Sequence, residues 1–171
     1  MKENLPHRDL TIPLRSLEEC DDFARKLATL LETPSCIALE GTLGAGKTQF
    51  TRFLALALGA DSASISSPTF VLLQSYATNP PMVHVDAYRI ADEDEFLEIG
   101  IEEYLDADCV TVIEWADRFP DILPKDHLRI RLELSDVDST RYAVLHSMGG
   151  RSNQLLNSLA RLLSSGKSAS D

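Results

Sequence analysis

Apolar residues along this chain recur at two spacings that alternate from one end to the other. Leu10-Thr11-Ile12-Pro13-Leu14 alternates apolar and non-apolar positions, and its proline predicts a strand at a sheet edge, where no ladder N–H is needed. Ser16 and Glu19 then form a capping box. The helix they open carries Cys20, Phe23, Ala24, Leu27, Leu30 and Leu31 on one face. Residues 35–39 form a continuous apolar run, as in a parallel strand buried on both faces. Phe50, Phe53, Leu54, Ala57 and Leu58 return to helical spacing until Gly59, a C-cap. Two further strands, Thr69–Tyr76 and Met82–Asp86, are divided by Asn79-Pro80-Pro81 and predict a hairpin. Residues 92–105 read as one acidic helix anchored by Phe96, Leu97, Ile99, Ile101, Tyr104 and Leu105. Cys109–Ile113 is a buried strand, and Leu128–Leu134 with Tyr142–Leu145 predicts a second hairpin. A last helix is expected over 153–163, followed by a disordered Ser/Gly/Lys tail. Strands alternating with helices predict an α/β fold, a three-layer sandwich whose mixed sheet has antiparallel additions. No repeat or linker divides the chain, so residues 1–150 are assigned to one domain and 151–171 to a terminal helix and tail.

Composition narrows the function classes. The chain has 171 residues, enough for a proper core, and no apolar stretch nears the roughly 18 residues of a membrane span. Met1–His7 has no apolar run, so no secretory signal is expected. The three cysteines, Cys20, Cys36 and Cys109, lack metal-ligand spacing and read as reduced thiols of a cytoplasmic protein. Sixteen basic against 27 acidic residues give a net charge of −11, which repels phosphate backbones. Direct nonspecific binding of RNA is therefore not expected, and any RNA would be carried by a partner.

The residues with the most chemical content are Gly41-Thr42-Leu43-Gly44-Ala45-Gly46-Lys47-Thr48, a complete G-x-x-x-x-G-K-[ST] phosphate-binding loop. Its glycines let successive N–H groups approach an anion, Lys47 can reach the β- and γ-phosphates, and the Thr48 hydroxyl can bind Mg²⁺. The context fits: a buried strand precedes the loop, and a helix begins at it with its N-terminus facing the phosphates.

In open α/β sheets ligands gather at the carboxyl ends of parallel strands. Asp86 and Glu114 both end such strands, so both should emerge beside the loop. Mg²⁺ takes one or two carboxylates besides phosphate oxygens and waters, which makes Thr48, Asp86 and Glu114 the candidate metal set. Asp86 would act directly or through water, and Glu114 would hold the metal or orient the attacking water. His84 lies inside a strand, where a packed histidine and a site residue remain equally open. Arg141, the one lysine or arginine of its strand, could reach the nucleotide.

Three shorter motifs follow the loop in order: Ser67-Pro68-Thr69-Phe70, His84-x-Asp86-x-Tyr88-Arg89 and Ile113-Glu114-Trp115. With them, residues 10–147 closely resemble the TsaE family, P-loop ATPases of bacterial threonylcarbamoyladenosine tRNA modification. Glu95–Gly100 also resembles the family's acidic helix and glycine. The resemblance implies ATP and Mg²⁺ as ligands, with Lys47 and Thr48 on the triphosphate and metal and with Asp86 and Glu114 completing the hydrolysis site. It implies that Trp115 contacts nucleotide or a partner, and that Thr69 follows the γ-phosphate state. It implies partners of the TsaB–TsaD type, contact with tRNA only through that complex, and an ATPase weak alone and dependent on those partners. A small-molecule kinase is the alternative, but 91–108 has no Arg or Lys to form a phosphate-clamping lid. A GTPase is disfavoured, since no N-K-x-D guanine-reading motif is present.

Overall fold

The computed structural model describes residues 9–65, 72–136 and 140–165. Seven strands form one open sheet: β1 (Asp9–Leu14), β2 (Ser35–Glu40), β3 (Leu73–Tyr76), β4 (Met82–Asp86), β5 (Val110–Glu114), β6 (Leu128–Leu134) and β7 (Arg141–Ser147). Their order is β1-β7-β6-β2-β5-β4-β3. The four inner strands β6, β2, β5 and β4 run parallel, while β7, β1 and β3 are added by antiparallel pairing. Both expected hairpins, β3–β4 and β6–β7, are present, and Pro13 lies on an edge strand as predicted.

Alternation along the strands feeds two cores. On one face Ile37, Leu39, Val110, Val112, Leu128 and Ile130 pack under three helices. These are α1 (Leu17–Ala28), α2 (Lys47–Ala57) and α5 (Gly150–Ser165), with Phe23 stacked on Phe50 at 5.2 Å between centroids. On the other face Ala38, Val83, Val85 and Ile113 pack against α3 (Glu93–Glu98) and α4 (Ile101–Leu105) through Phe96 and Ile101. The result is the expected α/β three-layer arrangement.

Three boundaries depart from expectation, the first being that α1 ends at Ala28, so Leu30 and Leu31, expected on its apolar face, lie beyond its end. The acidic helix is not continuous over 92–105: Gly100, at φ 78°, ends α3 and starts α4. A left-handed residue cannot sit inside a helix, and the apolar spacing across Ile99 and Ile101 concealed the break. The last helix begins at Gly150 rather than 153, because Asp126, distant in sequence, accepts the N–H groups of Arg151 (2.8 Å) and Ser152 (3.0 Å). Gly149 makes that approach possible, since a Cβ there would lie 2.3 Å from Asp126 Cγ. The expected disordered tail beyond 165 and the start of the 69–76 strand lie outside the described residues.

Candidate functional site

The loop after β2 is shaped by its glycines. Gly41, Gly44 and Gly46 all have positive φ, and at Gly41 a Cβ would meet the Leu132 carbonyl oxygen at 2.4 Å. Ala45 N–H donates to Thr42 O at 3.1 Å, closing the turn. Helix α2 starts at Lys47 with no side-chain cap and no acidic residue of its own in the first turn. Leu43 and Thr42 are exposed at the loop apex. Arg141 reaches the same loop, its Cδ and Nε 3.9 Å from the position of a Cβ on Gly46.

Lys47 is buried, and its Nζ donates to Gly41 O (2.6 Å) and Thr42 O (3.0 Å). The same ammonium lies 3.6 Å from the Trp115 ring centroid, a cation–π contact. Burial pushes the Lys47 pKa below its ordinary value, against opposing pulls from Glu114, Asp117 and Asp86. Trp115 is held at φ 61°, the one non-glycine residue with positive φ among those described. Strain of this kind persists where neighbours over-determine it. Here Tyr88 packs on the Trp115 ring at 4.9 Å between centroids, and Arg118 donates to the carbonyls of Ala87 and Tyr88 at 2.6 Å each.

Glu114 ends β5 and is 1% exposed. Its Oε2 accepts from Thr48 Oγ1 at 2.8 Å. Its Oε1 accepts from Thr51 Oγ1 at 3.2 Å and lies 2.8 Å from His84 Nε2. Asp86 pairs with Glu114 in the β4–β5 register, half-buried, with one oxygen accepting Tyr88 N–H at 3.0 Å. Thus the fold brings Lys47, Thr48, Asp86, Glu114, Trp115 and Arg141 to one edge, while Thr69 lies outside the described residues. Among the described residues no three His, Cys, Asp or Glu side chains gather closely enough to form a metal site by themselves. The oxygen pair Thr48–Glu114 could bind a hard cation only together with ligand oxygens and water, which is how Mg²⁺ is ordinarily held.

Sequence reasoning missed two features. Thr51, buried one turn after Thr48 on the same helix face, reaches Glu114; the three-residue spacing was the available signal. Glu40, buried just before the loop, is within ion-pair distance of Arg129 (3.1 Å) and accepts twice from Arg131 (3.1 and 3.0 Å). This pairing holds the end of β2 to β6, the strand that touches Gly41, and only strand order reveals it. A cavity of about 560 Å³ lies at the opposite sheet edge, among Leu30, Pro34, His127, Arg151 and Leu155. None of the candidate residues lines it, so it is separate from this chemistry.

Comparison with known proteins supports a family assignment. The family profile described as threonylcarbamoyl adenosine biosynthesis protein TsaE matches residues 14–143. The tRNA threonylcarbamoyladenosine biosynthesis protein TsaE of Rickettsia bellii is 38% identical over 126 residues, covering 73% of this chain and 87% of its own. The TsaE of Bacillus subtilis is 34% identical over 145 residues, covering 84% and 89%. A crystal structure of Bacillus subtilis YdiB superposes with a TM-score of 0.76 at 29% identity, covering 91% of this chain and 96% of that one. With the profile spanning most of the chain and the fold shared, this protein belongs to the TsaE family of tRNA threonylcarbamoyladenosine biosynthesis.

Proposed function

We propose that this protein binds Mg²⁺-ATP at the Gly41–Thr48 loop and hydrolyses it in support of tRNA threonylcarbamoyladenosine formation, in the cytoplasm and with partners of the TsaB–TsaD type. One observation carries the reading: Thr48 Oγ1 and Glu114 Oε2 stand 2.8 Å apart beside the Lys47 ammonium. Oxygens at adjacent corners of a Mg²⁺ octahedron, each about 2.0–2.1 Å from the ion, are separated by about 3 Å, so the pair fits the ion's geometry. Bound there with ATP, Mg²⁺ supplies neutralisation of the charge that develops on the β- and γ-phosphates.

The chain's own groups do the rest. Lys47 exchanges the carbonyls of Gly41 and Thr42 for phosphate oxygens, a charge-assisted contact stronger than those it leaves. The uncapped N–H groups at the start of α2 face the same anion. Glu114 holds the metal edge and orients water. Asp86, with one oxygen committed to Tyr88 N–H, contributes through water. Arg141 and Trp115 border the nucleotide, and Thr69 senses the γ-phosphate, an assignment resting on the family resemblance alone. A kinase is disfavoured because 91–108 supplies no basic residue for a second phosphate group.

The test is ATP turnover by the pure protein, with and without TsaB and TsaD. Glu114→Gln keeps the shape and removes the charge, and should lower kcat at least 10-fold, about 1.4 kcal/mol of barrier or more. Turnover absent under every condition, or unchanged in Glu114→Gln, would refute the ATPase reading.

A further inference from the structure

Glu114 has two oxygens that are treated differently by their surroundings. Oε2 faces Thr48 and the loop, whereas Oε1 is engaged from behind by His84 Nε2 (2.8 Å) and Thr51 Oγ1 (3.2 Å). All three side chains are sealed from solvent: His84 is 2% exposed, Thr51 1% and Glu114 1%. The fold delivers each from a separate element. In the parallel β4–β5 register His84 stands opposite Val112, two residues before Glu114, so both side chains leave the same sheet face one pleat apart. Thr51 comes from α2, where its one hydroxyl hydrogen lies within reach of both Lys47 O (3.0 Å) and Glu114 Oε1 (3.2 Å) and is shared between them.

We propose that His84 and Thr51 are positioning residues that lock the Glu114 carboxylate so that Oε2 is aimed at the Mg²⁺ position beside Thr48. The inference rests on the Mg²⁺-ATP reading above and adds the residues that prepare the site. A glutamate's terminal torsion is broad and two-fold, so an unrestrained carboxylate would turn either oxygen, or neither, toward a cation. His84 Nε2, together with the Thr51 hydroxyl hydrogen shared with Lys47 O, restricts that freedom before the ligand arrives, and groups that hold a metal-binding side chain in this way tune metal affinity. The packing does not otherwise account for His84. Among the described residues its Nδ1 is buried with no hydrogen-bond partner, and the ring's one polar contact there is with Glu114. Facing a carboxylate oxygen, which accepts, Nε2 is the ring nitrogen that carries the proton and donates. Thr51 completes the arrangement without touching the cation position, since its hydroxyl contacts Oε1 and not Oε2.

The experiment compares ATP affinity with and without Mg²⁺, by calorimetry below the melting temperature of each variant, and Mn²⁺ affinity by electron paramagnetic resonance with a non-hydrolysable ATP analogue. His84→Leu and Thr51→Val remove one donor each at similar volume. Each should reduce the Mg²⁺ enhancement of ATP binding and the Mn²⁺ affinity by about 10-fold, leaving metal-free ATP affinity within about twofold. His84→Gln, whose amide can replace Nε2–H, and Thr51→Ser should restore most of the loss. Unchanged metal dependence in His84→Leu and Thr51→Val overturns the proposal, as does an equal loss with and without Mg²⁺ or the absence of rescue. Should His84→Leu fail to fold, the Thr51→Val and Thr51→Ser pair decides alone. A wild-type protein with no Mg²⁺ enhancement would instead overturn the Mg²⁺-ATP reading itself.

Discussion

Lys47 and Glu114 are the residues on which the site's contacts converge. The Lys47 ammonium is shared by two loop carbonyls and the Trp115 face, an arrangement that, among the described residues, satisfies a buried cation without a carboxylate in direct contact. Because Trp115 is the chain's one tryptophan, its emission reports on that contact directly. ATP binding should draw Lys47 off the ring and change the intrinsic fluorescence, giving a titratable signal. Lys47→Ala should shift the spectrum of the nucleotide-free protein and weaken ATP binding by about 30-fold, or about 2 kcal/mol for a charge-assisted contact. An ATP titration that leaves the tryptophan emission of a nucleotide-binding wild type unchanged would exclude the proposed movement. Lys47, Thr48, Glu114 and Trp115 were legible in the sequence because each belongs to a contiguous motif. Thr51 was not identified and His84 was left open between a packed histidine and a site residue, because the role of each depends on a contact with Glu114 from another element.

Among the elements, α5 shows best how a boundary escapes local reading. Its start has no local side-chain signal strong enough to place it at Gly150; the Asp126 carboxylate supplies the cap from the loop before β6. Burial raises the Asp126 pKa, but the hydrogen bonds from Ser152 and Arg151 outweigh it, and the net value falls below 3.8. Asp126→Ala should therefore cost about 1 kcal/mol at pH 7, a fall in Tm of about 2–4 °C. A depressed folded-state value stabilises above the unfolded pKa of about 3.9 and is lost as pH falls through the folded value. The gap between wild type and variant should accordingly persist at pH 5 and narrow below pH 3.8. Gly149→Ala pushes against the same carboxylate, so the double variant should lose less than the sum of the singles. Thermal melts at several pH values check all three statements, and full additivity would show that the two positions act separately.

At the scale of the whole molecule, charge and sheet topology define what the protein can meet. A net charge of −11 offers few cations to displace counterions from RNA, so the isolated chain should bind tRNA no more tightly than about 10 μM at physiological salt. If TsaB–TsaD-type partners prefer the ATP-bound form, linkage requires that they raise ATP affinity by the same factor that ATP raises theirs. Co-elution of the three proteins should therefore depend on ATP, with ADP and nucleotide-free samples weaker. Modification through repeated rounds should fail with Lys47→Ala. Tight tRNA binding by the chain alone, or full multi-turnover modification with Lys47→Ala, would contradict this.

The sequence alone determined the alternation of strands and helices, the two hairpins, the loop at Gly41–Thr48 and the strand-end position of Asp86 and Glu114. These follow from periodicity and turn chemistry within a few residues, where each side chain's neighbours are its own chain neighbours. Tertiary structure decided the rest. It set β5 between β2 and β4, so that Glu114 rather than Asp86 meets the Thr48 hydroxyl. It joined Glu40 to Arg129 and Arg131, laid Lys47 on Trp115, and placed His84 and Thr51 behind the Glu114 carboxylate. Contacts such as Thr48 with Glu114, 66 residues apart, depend on which strands become neighbours and in what register. That choice is made by the packing of whole faces, and no local pattern in the chain contains it.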